Sequence, residues 1–128
     1  GKYLVNASGC IECHTQADPQ GMIIQEVAFE GGRDFPFPDG SKVTSSNITP
    51  DPETGIGNWD EATFVQRFKQ YTDSAYVIPQ VPQGEFNTIM PWTMYAGMTE
   101  QDLKAIYAYL RTLEPKRNQA IRFTASAN

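Results

Sequence analysis

Two thiols and an imidazole sit together in Cys10-Ile11-Glu12-Cys13-His14, and they are the chain's only cysteines and its only histidine. The chemistry that needs C-x-x-C-H is covalent haem attachment. Each thiol adds across a vinyl group to leave a thioether, and the adjacent imidazole lies under the ring with a nitrogen free for iron. Two other chemistries share part of the pattern. A redox-active disulfide of the thioredoxin type uses C-x-x-C, but in a βαβ setting, and no strand-to-helix pattern precedes Cys10. A structural zinc site takes four Cys or His ligands, and this chain offers three.

An iron held by His14 needs a ligand, or a vacancy, on its other face. With no second histidine, ligation by two imidazoles within this chain is excluded, leaving methionine, lysine, water or an open position. Four methionines compete: Met22, Met90, Met94 and Met98. Met22 has a short route from His14 to the far face, and Met98 reads as core packing before the last helix. Met90 precedes Pro91, and proline biases its predecessor toward extended geometry, which lifts a side chain out of a loop. Met90 is therefore the first candidate and Met94 the second, with gap-filling in a core as the plain alternative for any methionine.

The elements that must position these groups are unevenly legible. Tyr3, Leu4 and Ala7 have helical spacing, and a helix ending near Ser8 and Gly9 is expected to feed directly into the motif. Asp18-Pro19-Gln20-Gly21 reads as a turn. Residues 22–29 have no clean period, and Gly31-Gly32 interrupts them. Phe35-Pro36-Phe37 and Lys42-Val43-Thr44 flank Pro38-Asp39-Gly40-Ser41 as a small hairpin whose prolines confine the first arm to an edge. Residues 47–57 form a structured loop dense in turn residues. Asn47-Ile48-Thr49 matches a glycosylation sequon, but Pro50 follows directly and the site is discounted. Asn58 or Asp60 caps a helix carrying Phe64, Phe68 and Tyr71 at i, i+4, i+7, closed by Thr72-Asp73-Ser74. Residues 77–86 contain Pro79, Pro82 and Gly84 and read as loop. The clearest helix is capped by Thr99, with Asp102 three residues on and Leu103, Ile106, Tyr107, Leu110 and Leu113 as its apolar stripe, ended by Pro115.

At 128 residues the chain reads as a single domain, 1–128, with 116–128 a surface tail. Aromatic residues make up 12%, enough to wall a flat macrocycle. The net charge of -5 argues against nucleic acid and anionic membrane surfaces and suits a partner with a basic docking patch. No run approaches the roughly 18 apolar residues of a membrane span. The chain opens at Gly1-Lys2-Tyr3 with no leader, as a mature or trimmed chain would, so a membrane anchor outside it stays open.

Taken together the residues resemble a class I c-type cytochrome. The resemblance runs through Gly1-Lys2-Tyr3-Leu4-Val5 into the haem motif, then Met90-Pro91, then Met98-Thr99-Glu100-Gln101-Asp102-Leu103 leading into the last helix. More narrowly, Asn47-Ile48-Thr49-Pro50-Asp51, Thr54-Gly55-Ile56-Gly57 and Trp59 are similar to cytochrome subunits that serve membrane-bound alcohol and sugar-acid dehydrogenases. The resemblance implies a mainly α fold, with first and last helices crossing beside a covalently bound haem. It leaves a β-hairpin or irregular insertion between about residues 22 and 46. It also favours Met90 as the axial ligand opposite His14. The related subunits carry several haem motifs, whereas this chain carries one.

On that reading the function is one-electron transfer by a single haem c bound through Cys10 and Cys13. The partners would be a dehydrogenase, an oxidase or another cytochrome on the periplasmic or outward-facing side, where exported apo-protein receives its haem. A thioether ligand raises the potential relative to two imidazoles and marks the spectrum with a weak band at the red end. The second ring nitrogen of His14 needs a hydrogen-bond acceptor, expected as a backbone carbonyl near Pro19. Arg33, Trp59 and the loop of Ser45, Ser46, Asn47 and Thr49 are candidate donors to the haem propionates. The plain alternatives are a solvated charge for Arg33 and core packing for Trp59. Docking is expected to be transient, at the haem edge near Cys13, and weakened by salt. Two rival readings are a haem with an open sixth position that binds peroxide or gas, and a domain cut from a larger oxidase or dehydrogenase chain.

Overall fold

A computed structural model describes residues 1–77, 80–82, 85–86 and 88–125. Residues 78, 79, 83 and 84 of the loop expected over 77–86, and Asn87 beside the Met90 loop, lie outside the described residues.

Helix α1 (Lys2–Ala7) stops at Ser8, and Gly9 takes a left-handed φ of 72° before α2 (Cys10–Cys13) begins. α3 (Glu61–Lys69) starts at Asp60, whose side chain accepts from the Thr63 amide at 2.7 Å. Of the two capping candidates Asp60 is therefore the cap, and Asn58 instead donates to the Pro52 carbonyl. A 3₁₀ turn over Gln70–Thr72 closes α3. A four-residue helix, α4 (Trp92–Tyr95), follows Pro91, and α5 (Glu100–Arg111) is capped by Thr99 Oγ1, which accepts from the Asp102 amide. Leu113 lies past the end of α5 yet still packs against the core.

Periodicity explains the packing. Phe64, Val65 and Phe68 from α3 and Leu103, Ile106 and Leu110 from α5 are buried, and Val5 of α1 joins them. α5 packs on both α1 and α3. The approach of α1 to α5 is close: a Cβ at Gly1 would collide with the Ala105 carbonyl oxygen. Burying each such side chain contributes about 1.5–3 kcal/mol. Cys10 and Ile11 of α2 pack against this same helical core.

The hairpin forms as β1 (Asp34–Pro36) and β2 (Lys42–Thr44), with Phe35 opposite Val43. Pro36 lies on the sheet edge, where its missing N–H costs no ladder bond. A third strand, β3 (Phe123–Thr124), pairs antiparallel with β2. The segment 116–125 thus runs along the surface but is pinned. Asn47 Nδ2 donates to the Lys116 carbonyl at 2.6 Å, Asn118 donates its amide to Thr54 Oγ1, and Asn118 Nδ2 reaches the Glu30 carbonyl.

Candidate haem site

Gly9 allows the chain to leave α1 and restart one turn later, which places Cys10 and Cys13 at i and i+3 on a single helical turn. Both thiols are free. Cys10 is half-buried, and burial pushes its thiol up to about 11. A dithiol oxidoreductase needs the opposite, a thiol lowered toward neutrality. Covalent attachment removes the ionisable thiol and leaves an apolar thioether that suits this half-buried position.

His14 caps α2, its amide donating to the Cys10 carbonyl at 2.9 Å. Its Nδ1 lies 2.7 Å from the Ser46 carbonyl and donates to it, which leaves Nε2 as the nitrogen with a free lone pair. Burial lowers the His14 pKa, partly opposed by the Ser46 bond, so the ring is held neutral and able to ligate. The acceptor is therefore Ser46 and not a carbonyl near Pro19. Asp18 instead folds the Pro19 region into an exposed turn of its own, accepting from the Gln20 and Met22 amides. Ser46 arrives through Gly31, whose amide donates to the His14 carbonyl at 2.8 Å and whose φ is 73°. A Cβ at Gly31 would strike the Ser46 carbonyl. In the sequence Gly31-Gly32 reads only as a breaker. What that reading lacks is the 32-residue separation of His14 from Ser46, which no local pattern reports.

The candidate propionate donors divide. Arg33 is brought to the motif: its Nη1 donates to the Glu12 carbonyl at 2.8 Å, and its amide donates to Ser45 Oγ. Trp59 is half-buried, its ring packed on Phe64, and its carbonyl accepts from the Tyr107 hydroxyl at 2.7 Å. Asn47 and Thr49 are turned elsewhere. Both are buried, and they bind each other, Thr54 and the Lys116 carbonyl. Their side chains hold the C-terminal segment and are not offered to a cofactor, and the sequon at Asn47 is sealed in the same network.

Among the four methionines, Met22 and Met94 are 67% and 64% exposed, whereas Met90 and Met98 are half-buried against the core. Met90 precedes Pro91, the N-cap of α4, and its carbonyl accepts from the Trp92 amide at 2.8 Å. Sequence reading misses α4, although Pro91 followed by Trp92 and Tyr95 three apart is a short-helix signal. Tyr95 also ties the two halves of the site, its hydroxyl donating to the Ser8 carbonyl just before the motif at 2.6 Å.

These residues fit a haem c by the chemistry of their donor set: two unpaired thiols on one turn, a neutral oriented imidazole beside them, and a thioether packed against the same core. Among the described residues no group of three or more His, Cys, Asp or Glu offers a competing metal site.

A family model described as cytochrome c matches residues 1–114. One of the subunits of nicotinate dehydrogenase from Pseudomonas putida is 32% identical over 94% of this chain and 9% of its own length. The cytochrome c subunit of a quinone-type alcohol dehydrogenase from Gluconobacter oxydans is 34% identical over 85% of this chain and 20% of its own length. The cytochrome c subunit of gluconate 2-dehydrogenase from Pantoea cypripedii is 32% identical over 85% of this chain and 21% of its own length. The chain therefore spans about a tenth to a fifth of these relatives. With the family match reaching from α1 through α5, and with thiols and imidazole placed as described, the chain belongs to the cytochrome c family, and its cofactor is haem c.

Proposed function

We propose that this protein is a one-electron carrier in which Cys10 and Cys13 would bond the haem, His14 Nε2 and Met90 Sδ would ligate its iron, and a dehydrogenase is the electron donor. When bound, the haem supplies an iron centre that alternates between the ferric and ferrous states. The observation that carries the reading is the 2.7 Å bond from His14 Nδ1 to the Ser46 carbonyl. It fixes the tautomer and aims the other nitrogen, as a ligating imidazole requires of the partner behind it.

The chain's own residues do the rest. Gly31 and Arg33 brace α2 and Ser46, so the imidazole does not reorient between oxidation states. The apolar core beneath the motif excludes water. Met90 provides a soft thioether that favours the reduced iron over a second imidazole. Arg33 and Trp59 are the proposed contacts for the propionates. The dehydrogenase link rests on the relatives, which are subunits of alcohol, gluconate and nicotinate dehydrogenases. The donor would sit in the same assembly, on the periplasmic or outward-facing side, where covalent haem attachment takes place. No helix among the described residues is long and apolar enough to cross a membrane.

Met90→Ala tests the assignment. The weak red-end absorption of the ferric protein should vanish, and carbon monoxide should bind the reduced protein rapidly. Met94→Ala should keep the band. A band that survives Met90→Ala, or a wild-type protein that takes carbon monoxide as fast as the variant, contradicts it.

A further inference from the structure

α4 is a single turn, too short to be stable on its own, so what surrounds it sets its position. Lys69, at the end of α3, donates from Nζ to the Ala96 carbonyl at 2.9 Å and to the Met98 carbonyl as well. Ala96 is the C-cap of α4, and carbonyls at a helix C-terminus lack intrahelical partners and favour a cation. Two residues earlier on α3, the Arg67 guanidinium lies 4.0 Å from the centre of the Trp92 ring, and its Nη1 donates to the Tyr71 hydroxyl. The Tyr71 ring stacks on the same indole at 24°. Trp92 in turn holds the Met90 carbonyl through its amide. The grip of α3 on α4 is thus passed to the backbone of Met90, although neither cation reaches the Met90 side chain.

We propose that Lys69 is a positioning residue for the sixth ligand. By clamping the C-terminal end of α4 it keeps Met90 seated on the iron and sets how readily an outside ligand displaces it. This rests on the assignment of Met90 made above. Releasing the clamp favours a local opening of the loop, an equilibrium that is separate from global unfolding.

The test is a titration of imidazole into the ferric, haem-loaded protein. Lys69→Met keeps the apolar stem and removes the charged donor. Because hydrogen bonds from a charged group are worth more than neutral ones, imidazole should bind roughly tenfold tighter to that variant. Lys69→Arg, which keeps a cationic donor, should move the affinity back toward wild type. Arg111→Met removes a comparable cation-to-carbonyl bond, from α5 to Gly57, and should leave imidazole affinity unchanged. Wild-type affinity in Lys69→Met, or equal tightening in Arg111→Met, overturns the proposal. The two readings fail differently. A red-end band that survives Met90→Ala removes the ligand assignment and this proposal with it. A band that Met90→Ala abolishes, with an imidazole affinity indifferent to Lys69, removes this proposal alone.

Discussion

At the scale of single residues, the protein spends its polar side chains on orientation. The Ser46 carbonyl would be an ordinary loop acceptor were it not opposite His14, and Gly31 is what lets it come so near. Gly31→Ala combines a left-handed φ of 73° with a Cβ that collides with Ser46. The backbone cost alone is about 1–2 kcal/mol. The denaturation midpoint should fall, and the potential of the haem-loaded protein should shift as the imidazole loses its anchor; an unchanged midpoint and potential would contradict this role. Acid should act on other residues. Asp34, Asp39 and Asp51 are held below the ordinary carboxylate value of 3.8 chiefly by the hydroxyls of Thr44, Ser41 and Thr54, and Asp60 chiefly by the Thr63 amide. A group whose pKa is lowered by folding binds fewer protons in the native state. Its stabilising contribution is complete above 3.8 and is lost as the pH falls through the lowered folded values. Denaturation midpoints measured on descending pH should therefore drop below that point, and Asp34→Asn should shallow the drop.

At the scale of elements, the site depends on pieces of very different legibility. α3 and α5 can be read directly from sequence, because a buried stripe of Phe64 and Phe68, or of Leu103, Ile106 and Leu110, repeats with the helical period, and Asp60 and Thr99 announce their starts. The hairpin is legible from its turn. α4 is not, because one turn is too short to show a period. The strap from 116 to 124 is not legible either, since what fixes it is a set of bonds spanning more than 60 residues to Asn47, Thr49 and Thr54. In the sequence Asn47 reads as a discounted sequon and a candidate propionate donor, whereas in the fold its two side-chain polar atoms hold Thr49, Thr54 and the Lys116 carbonyl at once. Removing a buried, multiply bonded amide strands its partners at about 1–3 kcal/mol. Asn47→Ala should lower stability by that order in urea melts and speed amide exchange at β3, whereas a variant as stable as wild type would show the strap to be ornamental. The motif itself is fully legible because its chemistry is local. The partner of His14 is not, because that contact is made by the fold.

At the scale of the whole molecule, the proposed docking turns on charge. The polypeptide carries -5, and two ionised propionates opposite a ferric iron would lower that further. An acidic carrier is steered toward a basic face, and that steering weakens once the Debye length falls to about 10 Å or less. The second-order rate of electron exchange with a basic redox partner should accordingly fall as salt rises; a rate indifferent to salt would place the docking energy in apolar contact instead. On the proposed assignment, motif, core and methionine loop would together keep both ligands in place while charge changes by one unit. A spectroelectrochemical titration of the protein matured with its haem covalently attached tests that most directly. The expected result is a single reversible wave with the one-electron slope of about 59 mV per decade, and loss of the red-end band as the iron is reduced. A two-electron slope, as a dithiol would give, or a preparation with no covalently bound haem to titrate, would contradict it.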